Sequence, residues 1–390
     1  MNRHFVAWLL TWAVLLGVTM PTSAQSTTEL IQSIQSVGKK GQNSTKAIQA
    51  WNKLVKKGPD ALVPILTGIS DDEPIAANYL RSAFETIAEQ SRSPEELTGD
   101  LERFVISTKQ SGIARRLAYE WLTKLDSSAP ELLLPKMLND PGAELRRDAV
   151  AVLLESAKVD LKDEKKDKAR ATFNKALKYA RDRDQVQEIA KSLAKLGKGV
   201  NLTDHFGFIT DWYVIAPFDS TGGKGFNITY PPEKKVDLSI AYKGKGNNTA
   251  KWSRESVKVD AEETKLENLG VVDLNDIIGD LHGVVAYGYT VVESPKSQPV
   301  QIRAASNNAV RMYLNGKEIY FREEYHHGTR MDQHIGKGML KKGRNEILIK
   351  VCQNEQEETW AQQWSFSLRV TDDLGAAIPL RVKLPQVDKE

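Results

Sequence analysis

The chain has a single cysteine, Cys352, in 390 residues, so no disulfide can form within it and its stability must come from hydrophobic cores. An excess of one charge is also missing. The 54 Lys and Arg stand against 51 Asp and Glu, a formal net charge of +3, which argues against a basic nucleic-acid-binding face or a polybasic membrane clamp. Histidine is absent between Gln25 and Asn201, leaving the first half without the commonest metal ligand and general base. No serine nucleophile elbow, Walker loop or dinucleotide fingerprint is present. Gly222-Gly223-Lys224-Gly225 is a flexible turn lacking the helix that phosphate cradling requires.

With 41% hydrophobic and 27% charged residues, the composition is that of ordinary soluble protein with room for two or three domains. At the start, Arg3 and His4 precede the apolar run FVAWLLTWAVLLGVTM, and the small residues of Pro21-Thr22-Ser23-Ala24 follow. This is the three-part layout of a secretory signal peptide over residues 1–24, with cleavage expected after Ala24. The expectation is an exported protein, periplasmic or extracellular, with no membrane span after cleavage.

Residues 25–199 read as successive amphipathic helices broken by Gly58-Pro59-Asp60, by Asp71-Asp72-Glu73-Pro74 and by Ser93-Pro94. In IAANYLRSAFETIAEQ, Ile75, Leu80, Phe84 and Ile87 recur near helical spacing. Repeated helix pairs indicate an α-solenoid, each pair burying its apolar face on its neighbours. The unit LLLPKMLNDPGAELRRDAVAVLLESA, with Asp140-Pro141, then Arg146 or Arg147, then Ala149-Val150, resembles HEAT repeats. The charged run from Asp160 to Arg170 reads as a solvated helix face in a closing hairpin.

After Gly199 the period changes from helical to alternating. Residues 205–384 carry candidate strands in DWYVIAPFD, VDLSIAY, the stretch around Trp252, VVDLNDII, GVVAYGYTVVE, QPVQIRAAS, NEILIKV and WSFSLRVTD, and Cys352 follows one of them as a small semi-buried filler. In the last strand Trp364, Phe366, Leu368 and Val370 alternate with Ser365, Ser367 and Arg369, predicting a half-buried strand. The clearest landmark is AVRMYLNGKEIYF, where Asn315-Gly316 suits a two-residue turn with positive φ at both positions. A regular hairpin there sets Met312 opposite Ile319 and Val310 opposite Phe321, with Arg311, Tyr313, Glu318 and Tyr320 on the other face. Many short strands with turn signals indicate an antiparallel β-sandwich, a jelly roll above all.

The order of a strand ending in LNGK, a long loop, a turn ending in LKKGRN and two further strands resembles the galactose-binding-like jelly roll of β-galactosidase and β-glucuronidase type glycoside hydrolases. The stretches DWYVIAPFD, YPPEKKVDL and VAYGYTVVES are similar to secreted bacterial proteins that couple HEAT-like helices to such a sandwich. The expected architecture is therefore multidomain, α then β, a short HEAT-like solenoid followed by the jelly roll.

The loop REEYHHGTRMDQH is the dense polar cluster of the chain. Loops between sandwich strands carry binding residues, so the candidate ligand contacts are Arg322, Tyr325, His326, Arg330, Asp332 and His334. Asn315 and Trp360 join them as an amide and an exposed aromatic platform. His326, Asp332 and His334 are weak metal candidates, since the adjacent His326 and His327 would point apart on extended chain. No cofactor is expected. The leading reading is a non-catalytic binding or scaffold protein whose jelly roll recognises carbohydrate or an envelope glycan, with the helical array a support or a protein-binding surface. The alternatives are a structural protein-interaction module of the envelope, or a metal-dependent hydrolase built on His326, His327, Asp332 and His334.

Overall fold

The helical period before Gly199 and the alternation after it give helices followed by two antiparallel sheets in a computed structural model. It describes residues 25–90, 94–259, 266 and 268–386; the leading segment read as a signal peptide lies outside them. The chain forms two compact units, one ending at Ala129 and the other beginning at Pro130.

The first unit contains α1 (Thr27–Gln35), α2 (Ser44–Leu54), α3 (Leu62–Gly68), α4 (Pro74–Gln90), α5 (Pro94–Ile106) and α6 (Gly112–Leu125). A capping box starts α1: Ser26 Oγ accepts from the Glu29 amide while the Glu29 carboxylate accepts from the Ser26 amide. The stripe expected on α4 is buried at Leu80, Phe84 and Ile87, but Ile75 is exposed and Ala76 and Ala77 take its place inside. Phe84 meets Trp121 of α6 edge to face, with ring centres 6.0 Å apart. Asp71, in the turn before α4, accepts from the Ser111 hydroxyl and from the amides of Gly112 and Ile113, so one turn caps the helix one pair further on.

The division falls at the first residue of α7 (Ala129–Leu133), and the second unit continues with α8 (Ala143–Lys162), α9 (Lys166–Tyr179), α10 (Arg183–Lys195) and α11 (Leu202–Phe206). Of the two arginines after Asp140-Pro141, Arg146 turns inward and donates to the Asp140 carbonyl at 2.6 Å, while Arg147 reaches Asp184. The charged run is not one solvated face. A turn with Glu164 at φ 61° divides it, and Asp160 is buried and paired with Lys168 at 2.8 Å.

The strands are β1 (Asp211–Asp219), β2 (Tyr242–Lys243), β3 (Thr249–Ser256), β4 (Val271–Asp273), β5 (Val284–Ser294), β6 (Gln298–Ala305), β7 (Ala309–Leu314), β8 (Lys317–Arg322), β9 (His334–Leu340), β10 (Gly343–Gln353), β11 (Ser365–Thr371) and β12 (Arg381–Val382), with the short helices α12 (Pro231–Lys234) and α13 (Leu274–Ile278) between them. One sheet runs β2-β3-β1-β5-β10-β7-β8, with β12 paired to β5; the other runs β4-β11-β6-β9. Residues of both sheets, among them Trp212, Ala286, Ile302, Met312, Ile349, Trp364 and Phe366, form one hydrophobic cluster. A second cluster covers the far face of the larger sheet, where Tyr213, Phe218, Tyr287 and Cys352 lie under Phe226, Tyr230 and Leu238. The central strands β5 and β10 of the larger sheet are thus buried on both faces, each large apolar side chain contributing about 1.5–3 kcal/mol.

Three strand expectations need correction. VDLSIAY yields only the two-residue β2 at its end, because the stretch before it packs as a cover over the sheet. VVDLNDII divides into β4 and α13, where Asp273 caps the helix through the amides of Asn275 and Asp276. Strand β11 is buried on both faces, since Ser365, Ser367 and Arg369 are buried as well, and Arg369 donates to the carbonyls of Phe206 and Gly375.

The hairpin turn is where expected, with Asn315 at φ 52° and Gly316 at φ 78°. Its register is not. Leu314 faces Lys317 and Tyr313 faces Glu318, but Ile319 is then extra, so Met312 faces Tyr320, Arg311 faces Phe321 and Val310 faces Arg322. A one-residue bulge exchanges the faces beyond it. Tyr320 consequently packs toward the shared core, whereas Phe321 is 60% exposed beside the Arg311 guanidinium. Gly336 on β9 lets the two edge strands approach, as a Cβ there would lie 3.0 Å from Ile319.

Candidate functional site

The loop between β8 and β9 holds two non-glycine residues in the left-handed region, His326 at φ 58° and Asp332 at φ 62°. Such conformations cost about 1 kcal/mol or more each and persist where other contacts enforce them. At His326 the main-chain amide donates to the Asn307 carbonyl at 2.6 Å. At Asp332 the carboxylate accepts from Arg303 Nη1 at 2.6 Å and from Arg369 Nε and Nη2 at 2.6 and 2.5 Å. Burial pushes this carboxyl up, but the bonds and charges of Arg369 and Arg303 outweigh it and hold Asp332 below the usual carboxylate range.

The sequence-derived site residues therefore separate into groups. Asp332 is committed to two arginines. His334 is 2% exposed, its Nδ1 3.1 Å from the Tyr320 hydroxyl, and burial lowers it to about 4 against a smaller opposing effect of the Ser306 main chain. Arg322 pairs with Glu324 in the open, and Arg330 is exposed. Asn315 stands at the opposite end of β7 from Asn307 and Asn308, where its side chain accepts from the Glu346 amide and donates to Asn345. It serves the turn. Among the described residues no three His, Cys, Asp or Glu side chains converge on a metal position.

What the fold does bring together is Tyr325, His326 and Trp360. The Trp360 indole is 61% exposed on a short turn before β11, with the His326 ring edge-on to it at 5.4 Å and 89°. Tyr325 lies 6.1 Å from His326 and packs against the far-face cluster.

Amides surround this corner, and composition alone did not single them out. His326 Nε2 is 2.9 Å from Asn354 Oδ1, and Asn354 Nδ2 donates to Gln356. Asn307 Nδ2 donates to Gln363 at 3.3 Å, and Asn308 Nδ2 donates to Gln353 at 2.6 Å. Four polar atoms have no protein partner: Asn307 Oδ1, Asn308 Oδ1, the Tyr325 hydroxyl and His326 Nδ1. Buried polar groups carry a free-energy cost until they are hydrogen-bonded. The available sequence signal was the pair Asn307-Asn308 between two apolar strands, with the amides of QNEQ and QQ downstream.

A second polar cluster, unforeseen in the sequence, sits under the cover of the larger sheet. Lys350 is fully buried in β10 and donates to the carbonyls of Phe226 and Ile228 and to Glu233 at 3.2, 2.7 and 2.9 Å. Glu233 also accepts from the hydroxyls of Tyr287 and Tyr313, both at 2.5 Å. Burial raises the Glu233 carboxyl, yet the bonds from Tyr287, Tyr313 and Lys350 leave it below its ordinary value. Every donor of the ammonium is used, which makes this a fastening of the covering segment rather than an open site. Nearby Cys352 is pushed up to about 12 by burial, which fits a packed filler and not a reactive thiol.

In comparison with known proteins, the chain matches no family model and no curated relative.

Proposed function

We propose that this is an exported, non-catalytic binding protein whose two sheets form a galactose-binding-like jelly roll that recognises carbohydrate at the Tyr325, His326 and Trp360 corner. The observation that carries the reading is the exposed Trp360 face, set at right angles to His326 within a ring of side-chain amides. Sugar rings stack on such faces while their hydroxyls pair with planar amides and carbonyls.

The helices fit a short HEAT-like array acting as scaffold. Three contacts support this: Asp71 to Ser111, Arg81 to Glu120 and Arg147 to Asp184 join positions 40, 39 and 37 residues apart, close to the repeat length of that architecture. A protein-binding role for the array is the second reading, favoured by the exposed Ile48, Ile75, Ile106 and Ile113.

The test is binding of the full chain to a panel of immobilised polysaccharides, beside Trp360→Ala. Retention of at least one polysaccharide, lost in the variant, is expected. Failure of every polysaccharide, with recovery of a protein partner in pull-down, would transfer the function to the helical surface.

A further inference from the structure

We infer that the end of the two-sheet body opposite the Trp360 corner docks on an anionic lipid surface. The inference stands apart from the carbohydrate reading and uses none of its residues.

The first observation is a local surplus of positive charge in a chain that is nearly balanced overall. Strands β5 and β6 are joined through Pro295, Lys296 and Ser297, and β9 and β10 through Lys341 and Lys342. The two turns touch, because the Lys342 amide donates to Ser297 Oγ at 3.0 Å and Gly343 lies opposite Ser294. Arg381 of β12 faces Glu293 from the other side of β5. Glu293 and Glu346, the carboxylates of the adjoining strands β5 and β10, are already engaged by Lys383 and Arg344. Lys296, Lys337, Lys341, Lys342 and Arg381 are exposed, and none of the five pairs with a carboxylate among the described residues. An incoming anion therefore meets a positive field with no internal counter-charge to displace.

The second observation is apolar and lies on the same strands. Ile335, Lys337 and Met339 alternate outward along β9, and Met339 is 58% exposed opposite the exposed Pro299 of β6. A cleft of about 830 Å³ sets Pro295, Pro379 and Leu380 beside Lys342 and Arg381, with the paired Glu293 also on its wall. Such a cleft has room for a phosphate headgroup. Apolar side chains among lysines suit a leaflet of anionic lipid, where the first enter the boundary between headgroups and acyl chains and the second meet the phosphates. An acidic polysaccharide would satisfy the cations but leave Met339 and Ile335 in water. Strand β10 carries its 11 residues from this cleft to the Trp360 corner, a span of about 35 Å, so docking turns that corner away from the bilayer.

The test is co-sedimentation of the full chain with vesicles of phosphatidylcholine alone and with vesicles of equal parts phosphatidylcholine and phosphatidylglycerol. The chain should sediment with the anionic vesicles and be released as salt rises. The triple variant Lys296→Gln, Lys341→Gln, Lys342→Gln, altered at exposed turn positions, should bind them about a hundredfold more weakly. Met339→Ser should weaken binding by a smaller factor, and Trp360→Ala should sediment like the wild type. Sedimentation with neither vesicle or equally with both, or a triple variant that binds as the wild type does, overturns the inference. So does loss of vesicle binding in Trp360→Ala, which would place the contact at the other end. Lysine-dependent binding to polygalacturonate without vesicle binding would also overturn it and assign the basic end to an acidic polymer.

Discussion

Lys350 Nζ lies 2.9 Å from Glu233 Oε1 although 117 residues separate them in the chain. Neither group sees much solvent, the side chains being 0% and 8% exposed. A buried pair of this kind is costly to break from one side, since the remaining charge is stranded in a medium of low polarity. Lys350→Met is expected to destabilise the protein by about 3–5 kcal/mol. Adding Glu233→Gln should recover a large part of that loss. Urea unfolding of the wild type, the single and the double variant measures the difference, and equal stability of the two variants would sink the account.

Asp332 fastens the β8–β9 loop to Arg303 and Arg369, and Arg369 has 3% of its side chain exposed. Asp332→Ala should cost about 3 kcal/mol by leaving the buried guanidinium unpaired. The same variant should raise protease sensitivity at exposed Arg330 in the freed loop. Unchanged thermal unfolding and unchanged cleavage together would show that the arginines find other partners.

Acid should weaken the fold through two buried histidines. Burial lowers His334 and His205 to about 4, the neighbouring Arg181 adding to the effect at His205. An unfolded histidine titrates near 6.5. Between those values the unfolded chain binds more protons than the folded one, so stability rises with pH, is complete above about 6.5 and is lost as pH falls toward about 4. On the order of 2–3 kcal/mol is at stake for each histidine. Below that window, protonation of Asp332 removes a further contribution. Denaturation midpoints at pH about 7.5 and about 5 provide the measurement, and His334→Gln should flatten the slope. A flat profile in the wild type argues against neutral burial of these rings.

Gly316→Ala should cost about 1 kcal/mol. Its φ is 78° and no atom lies within 4 Å of an added Cβ, so the penalty is conformational and not steric. A turn variant that melts at the wild-type temperature would contradict the left-handed geometry.

Local pattern carried much of the architecture. The change from helical to alternating period placed helices before sheets. Asn315-Gly316 marked the hairpin tip, and the stripe Trp364, Phe366, Leu368 and Val370 was legible as core because these features depend on residues adjacent in sequence. Tertiary packing decided the rest. The extra residue at Ile319 put Phe321 outside, β11 acquired a second buried face from Phe206 and Gly375, and Lys350 became a fully buried cation in a strand that read as apolar. Asp332 and His334 left the proposed ligand set for the same reason: arginines on β6 and β11 and a tyrosine on β8 claimed them. A periodic pattern reports only which face a side chain takes, whereas a bulge, a covering segment or a distant charge partner changes what that face meets. Those partners exist only once strands far apart in the chain lie side by side.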